Sequence, residues 1–305
     1  MMIEHNKFEI RNLCLYVVIA YAFSWIFWLP QVLSSNKLLA PSYSVYIVGF
    51  IAPFGPLVAA FSLTYLKEGK ESVEKLLRRG ANYKFRKRWL IPLFLLFPLW
   101  AGSALLLGSL TEGVKINLPW FSNPLSLVFN FGIYNFVYMF IFVGVAEEFG
   151  WRGYALDRLQ ACFSAATSSV ILGLIWGLWH LPLFFISGSP QQAAGLVPYL
   201  LQMVVFTIWF TWLYNNINGS VLVAIIFHAM MDLTLLVIFP VTSIFKPNSL
   251  PVLYLYFSGL IILVAVIAVW GPKRLVHEKG EQTRPSKNHP KIAKSLIGIV
   301  ERGHG

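Results

Sequence analysis

The sequence predicts an all-α protein that crosses a lipid bilayer about eight times, and three observations predict this fold class. Hydrophobic residues make up 57% of the 305 residues and charged residues only 12%, which is about half the charged fraction of a typical soluble domain. Apolar runs of about 20 residues, the length of a membrane-spanning helix, recur along the chain. The basic residues cluster between those runs. So few ionic side chains cannot cover a water-facing surface, which excludes a soluble globular protein and a disordered one.

The apolar runs define one membrane domain. Residues 1–272 contain all of them, and the basic segment 273–305 is predicted to be a flexible tail. We place the runs at 13–33, 45–66, 90–110, 127–146, 165–186, 196–214, 220–239 and 253–270.

The positions of Lys and Arg predict the orientation in the membrane. Nine of these residues lie between Lys67 and Arg88, and eight lie between Lys273 and Arg302. Because cytoplasmic loops are enriched in basic residues, we expect both segments and both chain termini to be cytoplasmic, in a plasma membrane of the bacterial type. The segment 147–164 then lies on the same side. Both basic clusters flank apolar runs, and no motif that reads bases is present. The predicted partner is therefore anionic lipid and not nucleic acid.

A small set of ionisable residues lies inside or at the ends of the later runs. Each costs roughly 2.5–3.5 kcal/mol or more to place in hydrocarbon, so such residues persist where they face a cavity or pair with one another. Six of them fall on three neighbouring predicted spans, which is the most informative feature of the sequence. They are Glu147, Glu148, Arg152, His180, His228 and Asp232.

The spacing of these residues predicts how they are grouped. Glu148 and Arg152 are four residues apart, so on a helix they share a face and can form an ion pair. Glu147 is rotated by about 100° from Glu148 and should point elsewhere. His228 and Asp232 are also four apart and share a face of the seventh span.

The predicted spans place His180 and His228 at different depths in the membrane. Pro182 is expected to kink or end the helix that carries His180. His180 would lie about 22 Å along the helix from residue 165, whereas His228 lies only about 12 Å from the start of its own helix. For both to reach Glu147, we expect the fifth helix to be tilted or to extend back through 147–164.

Two imidazoles and several carboxylates suit hydrolysis by a metal ion or by a general base. The sequence contains no H-E-x-x-H motif, no G-x-S-x-G motif and no phosphate-binding glycine loop. Each residue also has a structural interpretation, as a member of an ion pair or of an interhelical hydrogen bond. A proton relay in a transporter is a further alternative, although the chain lacks the repeats typical of that class.

Three motifs in order resemble those of one family, over residues 127–239. Glu147-Glu148-Phe149-Gly150-Trp151-Arg152 resembles the E-E-x-x-x-R motif of the CPBP intramembrane proteases, also called the Abi or CAAX-protease superfamily, which includes the Ras-converting enzymes. Trp176 followed four residues later by His180 resembles the second motif. His228 followed four later by Asp232, after the turn Asn218-Gly219-Ser220, resembles the third.

The resemblance implies a helical fold around a polar cavity that opens to the cytoplasm. It also implies cleavage near the C-terminus of a membrane-associated protein or peptide, such as removal of the last three residues of a prenylated CAAX protein. Glu147 would be the general base, assisted by His180. His228 and Asp232 would stabilise the oxyanion. Glu148 and Arg152 would hold the site together.

Two questions follow from the resemblance. The prenyl-protein enzymes carry asparagine where this chain has Asp232, and an ionised carboxylate would repel an oxyanion, so Asp232 would be protonated, orient His228 or bind a metal. Glu147, His180 and His228 could complete a zinc site with water, although their spacing favours a metal-free mechanism. Some members of the superfamily are linked to immunity or scaffolding, so a non-catalytic protein that binds a partner is the alternative function.

Overall fold

The computed structural model describes residues 2–113, 125 and 133–276, and within these residues it contains helices and no strand. The all-α prediction is therefore confirmed. In chain order the helices are α1 (Met2–Ser35), α2 (Tyr43–Gly49), α3 (Gly55–Glu68), α4 (Lys70–Arg79), α5 (Leu90–Glu112), α6 (134–162), α7 (Ala165–Trp179), α8 (Pro190–Ala194), α9 (Leu196–Asn216), α10 (Val221–Asp232), α11 (Val241–Ile244) and α12 (Leu250–Trp270).

Among the residues that the structure describes, six helical stretches are long and apolar enough to cross a membrane. They are Lys7–Ser35, Ile47–Glu68, Lys87–Glu112, Leu196–Asn216, Val221–Ile238 and Leu250–Trp270. Each matches one of the predicted runs. The run 165–186 gives an α-helix of only 15 residues, and the first residues of the run 127–146 lie outside the described residues, as does the tail from 277. The count of eight spans stays a prediction.

Helix α6 differs from the prediction. The chain does not leave the helix at residue 146, because α6 continues without a break from 134 to 162 and includes two π-helical stretches, Met139–Val145 and Trp151–Leu156. The expectation that the fifth helix extends back through 147–164 is also wrong. Phe163 is extended, and the Ser164 hydroxyl accepts a hydrogen bond from the backbone N–H of Thr167, which caps the start of α7.

The middle of α6 is the buried centre of the bundle. Every residue from 146 to 156 is buried, as expected of a helix that is surrounded by others. Two glycines permit close packing of its backbone. A Cβ atom at Gly144 would lie 2.7 Å from the Ile225 carbonyl oxygen in α10, and one at Gly150 would lie 2.6 Å from the Pro56 carbonyl oxygen in α3.

Two turns place the histidines. Helix α7 ends at Trp179, and Pro182 lies in the 3-10 turn Leu181–Phe185 that follows it, which confirms the predicted break after His180. Before α10, Asn218 and Gly219 both adopt positive φ angles, 59° and 66°. This turn leads into Ser220, whose hydroxyl caps α10 by accepting from Val223 N–H.

The segments that the charge pattern assigns to the cytoplasm meet at one end of the bundle. Arg79 donates to Asp157 at 2.8 Å and to the Gly153 carbonyl oxygen at 3.0 Å. Arg158 forms ion pairs with Glu9, at 3.5 Å, and with Glu68. These contacts join the N-terminal segment, the basic loop and the end of α6, which supports their assignment to one side. The side on which they lie stays a prediction.

Cysteine labelling tests the orientation. In a chain carrying Cys14→Ala and Cys162→Ser, a single cysteine is introduced at Lys37 or at Lys84, both of which are exposed. Because the basic loop is predicted to be cytoplasmic, a membrane-impermeant maleimide should label Lys37→Cys but not Lys84→Cys in intact cells. Both should be labelled after the membrane is opened. Labelling of Lys84→Cys alone in intact cells would reverse the assignment.

Candidate active site

Glu148 is the centre of a buried ionic cluster. Its Oε1 accepts a hydrogen bond from Arg152 Nη1 at 2.7 Å and another from His228 Nδ1, also at 2.7 Å. Glu148 and Arg152 are fully buried and His228 is 2% exposed. The predicted ion pair within α6 is confirmed. The bond to His228 was not predicted, and it links α6 to α10.

Two aromatic rings cover Arg152. The guanidinium carbon lies 4.6 Å from the ring centroid of Trp176 and 4.0 Å from that of Phe210. Such cation–π contacts are strongest where water is excluded. They partly replace the hydration that Arg152 loses on burial, since its Nε and Nη2 atoms have no hydrogen-bond partner among the described residues.

Glu147 points away from this cluster, as its rotation on the helix predicts. Its Oε2 accepts one hydrogen bond from the Trp176 indole N–H, at 2.7 Å, and one from the Trp151 indole N–H, at 3.1 Å. The residue is 4% exposed. Both bonds end on the same oxygen, and within the described parts of the chain no group donates to the other oxygen, Oε1.

His180 lies directly after α7, and its surroundings define its tautomer. Nδ1 is 2.9 Å from the carbonyl oxygen of Trp176. Because a carbonyl oxygen only accepts, Nδ1 carries the hydrogen and Nε2 keeps its lone pair. The imidazole ring contacts the rings of Trp179 and Tyr199, at centroid distances of 4.7 and 5.5 Å. In the neutral imidazole with its hydrogen on Nδ1, Nε2 is the basic nitrogen of the ring.

Asp232 lies at the more open edge of the site. Its Oδ2 is 3.9 Å from His228 Nε2, and its side chain is 20% exposed. Because Nδ1 of His228 donates to Glu148, this second nitrogen is the one that faces the site. The i, i+4 spacing of the third motif therefore places a carboxylate beside that nitrogen, as predicted.

The structure brings the predicted residues of α6, α7 and α10 together around Trp176. Besides its bond to Glu147, the Trp176 ring contacts His228 and His180, at centroid distances of 5.2 and 6.2 Å. In the sequence, Trp176 is marked only as the aromatic residue of a motif, and no pattern marks Trp151. The signal that could have revealed both is their indole N–H, which a buried tryptophan normally pairs with an acceptor.

The described residues contain no group of three His, Cys, Asp or Glu arranged to hold a metal ion. The predicted zinc ligands Glu147, His180 and His228 do not form such a group among the described residues. The Nδ1 atom of each histidine is bound by a protein oxygen, so only Nε2 of each ring could serve as a ligand. The metal-free mechanism stays a prediction.

The fold and this cluster define a multi-pass helical membrane protein with a buried acid–imidazole site. A family model described as type II CAAX prenyl endopeptidase, Rce1-like, matches residues 129–234, which is the region that carries all three motifs. The protein named CAAX prenyl protease 2 of Methanococcus maripaludis is 28% identical over 290 residues, covering 91% of this chain and 99% of that protein. The motif-bearing region is therefore similar to the Rce1-like CAAX prenyl endopeptidases, and most of the chain is similar to an archaeal CAAX prenyl protease.

The buried ion pair makes a stability prediction. Arg152→Gln should lower the free energy of unfolding by about 3–5 kcal/mol, because it leaves the Glu148 carboxylate buried without its cation. Unfolding in detergent, followed by circular dichroism, measures this loss. Arg78→Gln on the exposed surface of α4 is the control, with an expected change within about 0.5 kcal/mol.

The double variant Glu148→Gln with Arg152→Gln separates loss of the pair from a general packing defect. It removes both charges, so it should be more stable than Arg152→Gln alone. The ionic interpretation would be contradicted if the double variant lost as much free energy of unfolding as Glu148→Gln and Arg152→Gln lose together.

Proposed function

We propose that this protein is an intramembrane endopeptidase that hydrolyses a peptide bond near the C-terminus of a membrane-associated protein or peptide. The observation that carries the proposal is the convergence of Glu147, His180 and His228 around Trp176 inside a helical membrane domain. The similarity to a CAAX prenyl protease makes prenylated proteins with a C-terminal CAAX sequence the first substrate class to test. Substrate and water would enter through a cavity open to the cytoplasm.

Glu147 is the general base in this proposal. One of its oxygens is held by two indole N–H groups, so the other can accept a proton from a water molecule as that water attacks the scissile carbonyl carbon. The same carboxyl group can then donate the proton to the leaving amine, which balances the reaction. Proton transfer of this kind contributes typically 10²–10⁴-fold to the rate.

His180 assists the base through Nε2. Its Nδ1 hydrogen is committed to the Trp176 carbonyl oxygen, so the lone pair on Nε2 is available to accept a hydrogen bond from the attacking water. A neutral imidazole can orient the water molecule without adding a charge to a buried site.

His228 and Asp232 act on the carbonyl oxygen. Nε2 of His228, when protonated, donates to the oxyanion that forms on attack. Asp232 lies 3.9 Å from that nitrogen, so of the three roles open to it the geometry favours orienting His228. Glu148 holds the opposite side of the same ring, which fixes the direction in which Nε2 points.

Three substitutions test the proposal. Glu147→Gln, His180→Ala and His228→Ala should each lower the cleavage rate at least about 100-fold, because each removes a group that moves a proton or stabilises the oxyanion. The probe is a farnesylated peptide with a C-terminal CAAX sequence and a quencher in its last three residues, beside the same peptide without the lipid. Glu74→Gln, an exposed carboxylate on α4, is the matched control.

Wild-type rates in all three variants would refute catalysis by this site. A protein that binds the peptide equally well with and without the substitutions, and never cleaves it, would instead support the immunity or scaffold alternative.

We also propose that the reaction needs no metal ion. The peptide should be cleaved at an unchanged rate after incubation with a chelator such as EDTA or 1,10-phenanthroline, because water activation rests on Glu147 and His180. Elemental analysis of the same preparation should show less than one transition-metal ion per chain. Loss of activity on chelation, restored by adding back zinc, would replace this mechanism with a metal-assisted one.

A further inference from the structure

Trp176 contacts four of the six polar residues that the sequence identifies. Its indole N–H donates to Glu147, its ring covers the guanidinium of Arg152, and its ring packs at a steep angle against the ring of His228. Its backbone carbonyl oxygen accepts from His180. One buried residue therefore holds groups from α6, α7 and α10 at the same time.

The hydrogen bond to Glu147 distinguishes the two oxygens of that carboxylate. The bond from Trp176 is 2.7 Å, against 3.1 Å for the bond from Trp151, and both end on Oε2. Charge-assisted N–H···O bonds of 2.7–2.9 Å are the strong ones. The carboxylate is thereby held with Oε1 turned away from both donors.

The indole itself has little freedom to move. Trp176 is 1% exposed, its ring lies against Arg152 at 4.6 Å, and the ring of Phe210 packs at a centroid distance of 5.9 Å. Since the carbonyl group that binds His180 belongs to the same residue, the N–H that holds Glu147 and the oxygen that holds His180 are joined by a short covalent path. The geometry of Trp176 therefore sets the distance between that N–H group and that carbonyl oxygen.

We propose that Trp176 is a positioning residue that fixes which oxygen of Glu147 acts as the base and sets the place of that oxygen relative to Nε2 of His180. This inference rests on the proposed function, since it assigns a role within that site. It differs from a packing role in one respect: it requires the indole N–H and not only the ring.

Trp176→Phe isolates that requirement. Phenylalanine keeps an aromatic face toward Arg152 and His228 but has no N–H to donate. Trp209→Phe is the matched control, because Trp209 is fully buried among Phe97, Trp100 and Phe206. Its indole nitrogen has no hydrogen-bond partner in the described portion of the chain.

The first readout is kinetic and uses the farnesylated peptide probe. Trp176→Phe should lower kcat by about 10- to 100-fold with little change in KM, because the loss falls on the alignment of the base and not on binding. The acidic limb of the pH–rate profile should move to higher pH, since the carboxylate loses a donor that favours its charged form. Trp209→Phe should leave the acidic limb in place. A Trp176→Phe enzyme with the wild-type kcat and acidic limb would overturn the proposal.

The second readout does not depend on activity. In protein labelled with ¹⁵N-tryptophan, the indole N–H resonance of Trp176 is assigned by its loss in Trp176→Phe, and that of Trp209 by its loss in Trp209→Phe. Glu147→Ala should move the Trp176 resonance upfield and leave that of Trp209 in place. If the Trp176 resonance had the same position in Glu147→Ala as in the wild type, the inference would be overturned even if the wild-type protein were an active peptidase. A resonance that moves in a protein without peptidase activity would leave the anchoring of Glu147 intact and refute the proposed function alone.

Discussion

The neutralisation of one buried carboxylate is the constraint on which the site depends. A charged Glu148 inside the bundle would cost several kcal/mol without partners, and its partners come from two helices: Arg152 from α6 itself and His228 from α10. The ion pair within α6 forms wherever that helix forms. The second partner sets the register of α10 against α6, because only one rotation of α10 brings the imidazole to the same oxygen.

The adjacent carboxylate, that of Glu147, links α6 to a different helix. Glu147 and Glu148 diverge by the rotation of one helical residue, so one reaches α10 through His228 and the other reaches α7 through Trp176. Two neighbouring acids thus bind one helix to two others. The aromatic residues complete this arrangement: Trp176 and Phe210 cover the guanidinium of Arg152 and give the cation a favourable environment without water.

Helical periodicity explains which parts of this site could be predicted. The pairing of Glu148 with Arg152, the divergence of Glu147 and the approach of Asp232 to His228 follow from residues four or one apart on a single helix. The bond from His228 to Glu148 joins residues 80 apart in the chain and depends on how α10 packs. No local rule contains that information. The role of Trp176 was hidden for a similar reason, since its acceptor lies on another helix.

The continuity of α6 could not be predicted because its charges have two opposite interpretations. Glu147 to Arg158 lower the local hydropathy, as a cytoplasmic connection does. In the structure, however, Glu148 and Arg152 satisfy each other in the core, and Arg158 pairs with acids from α1 and α3. The start of α7 at Ala165 follows from the Ser164 cap, a local signal that outweighs the argument from depth. The chain therefore crosses from α6 to α7 within two residues.

The π-helical stretches on either side of Ala146–Gly150 have a consequence for how this region tolerates changes in length. Each stretch accommodates surplus backbone, as if one residue had been inserted into an α-helix. Removing a single residue on the N-terminal side of Gly144, within Met139–Val145, would let that stretch relax to the ordinary helical repeat and leave the preceding segment in nearly the same rotation relative to the glutamate pair. Gly144 marks the face of this stretch that fits against the backbone of α10. Such a deletion would leave Gly144 three residues before Glu147 and therefore still packed against the backbone of α10, so this part of α6 should tolerate the loss of one residue.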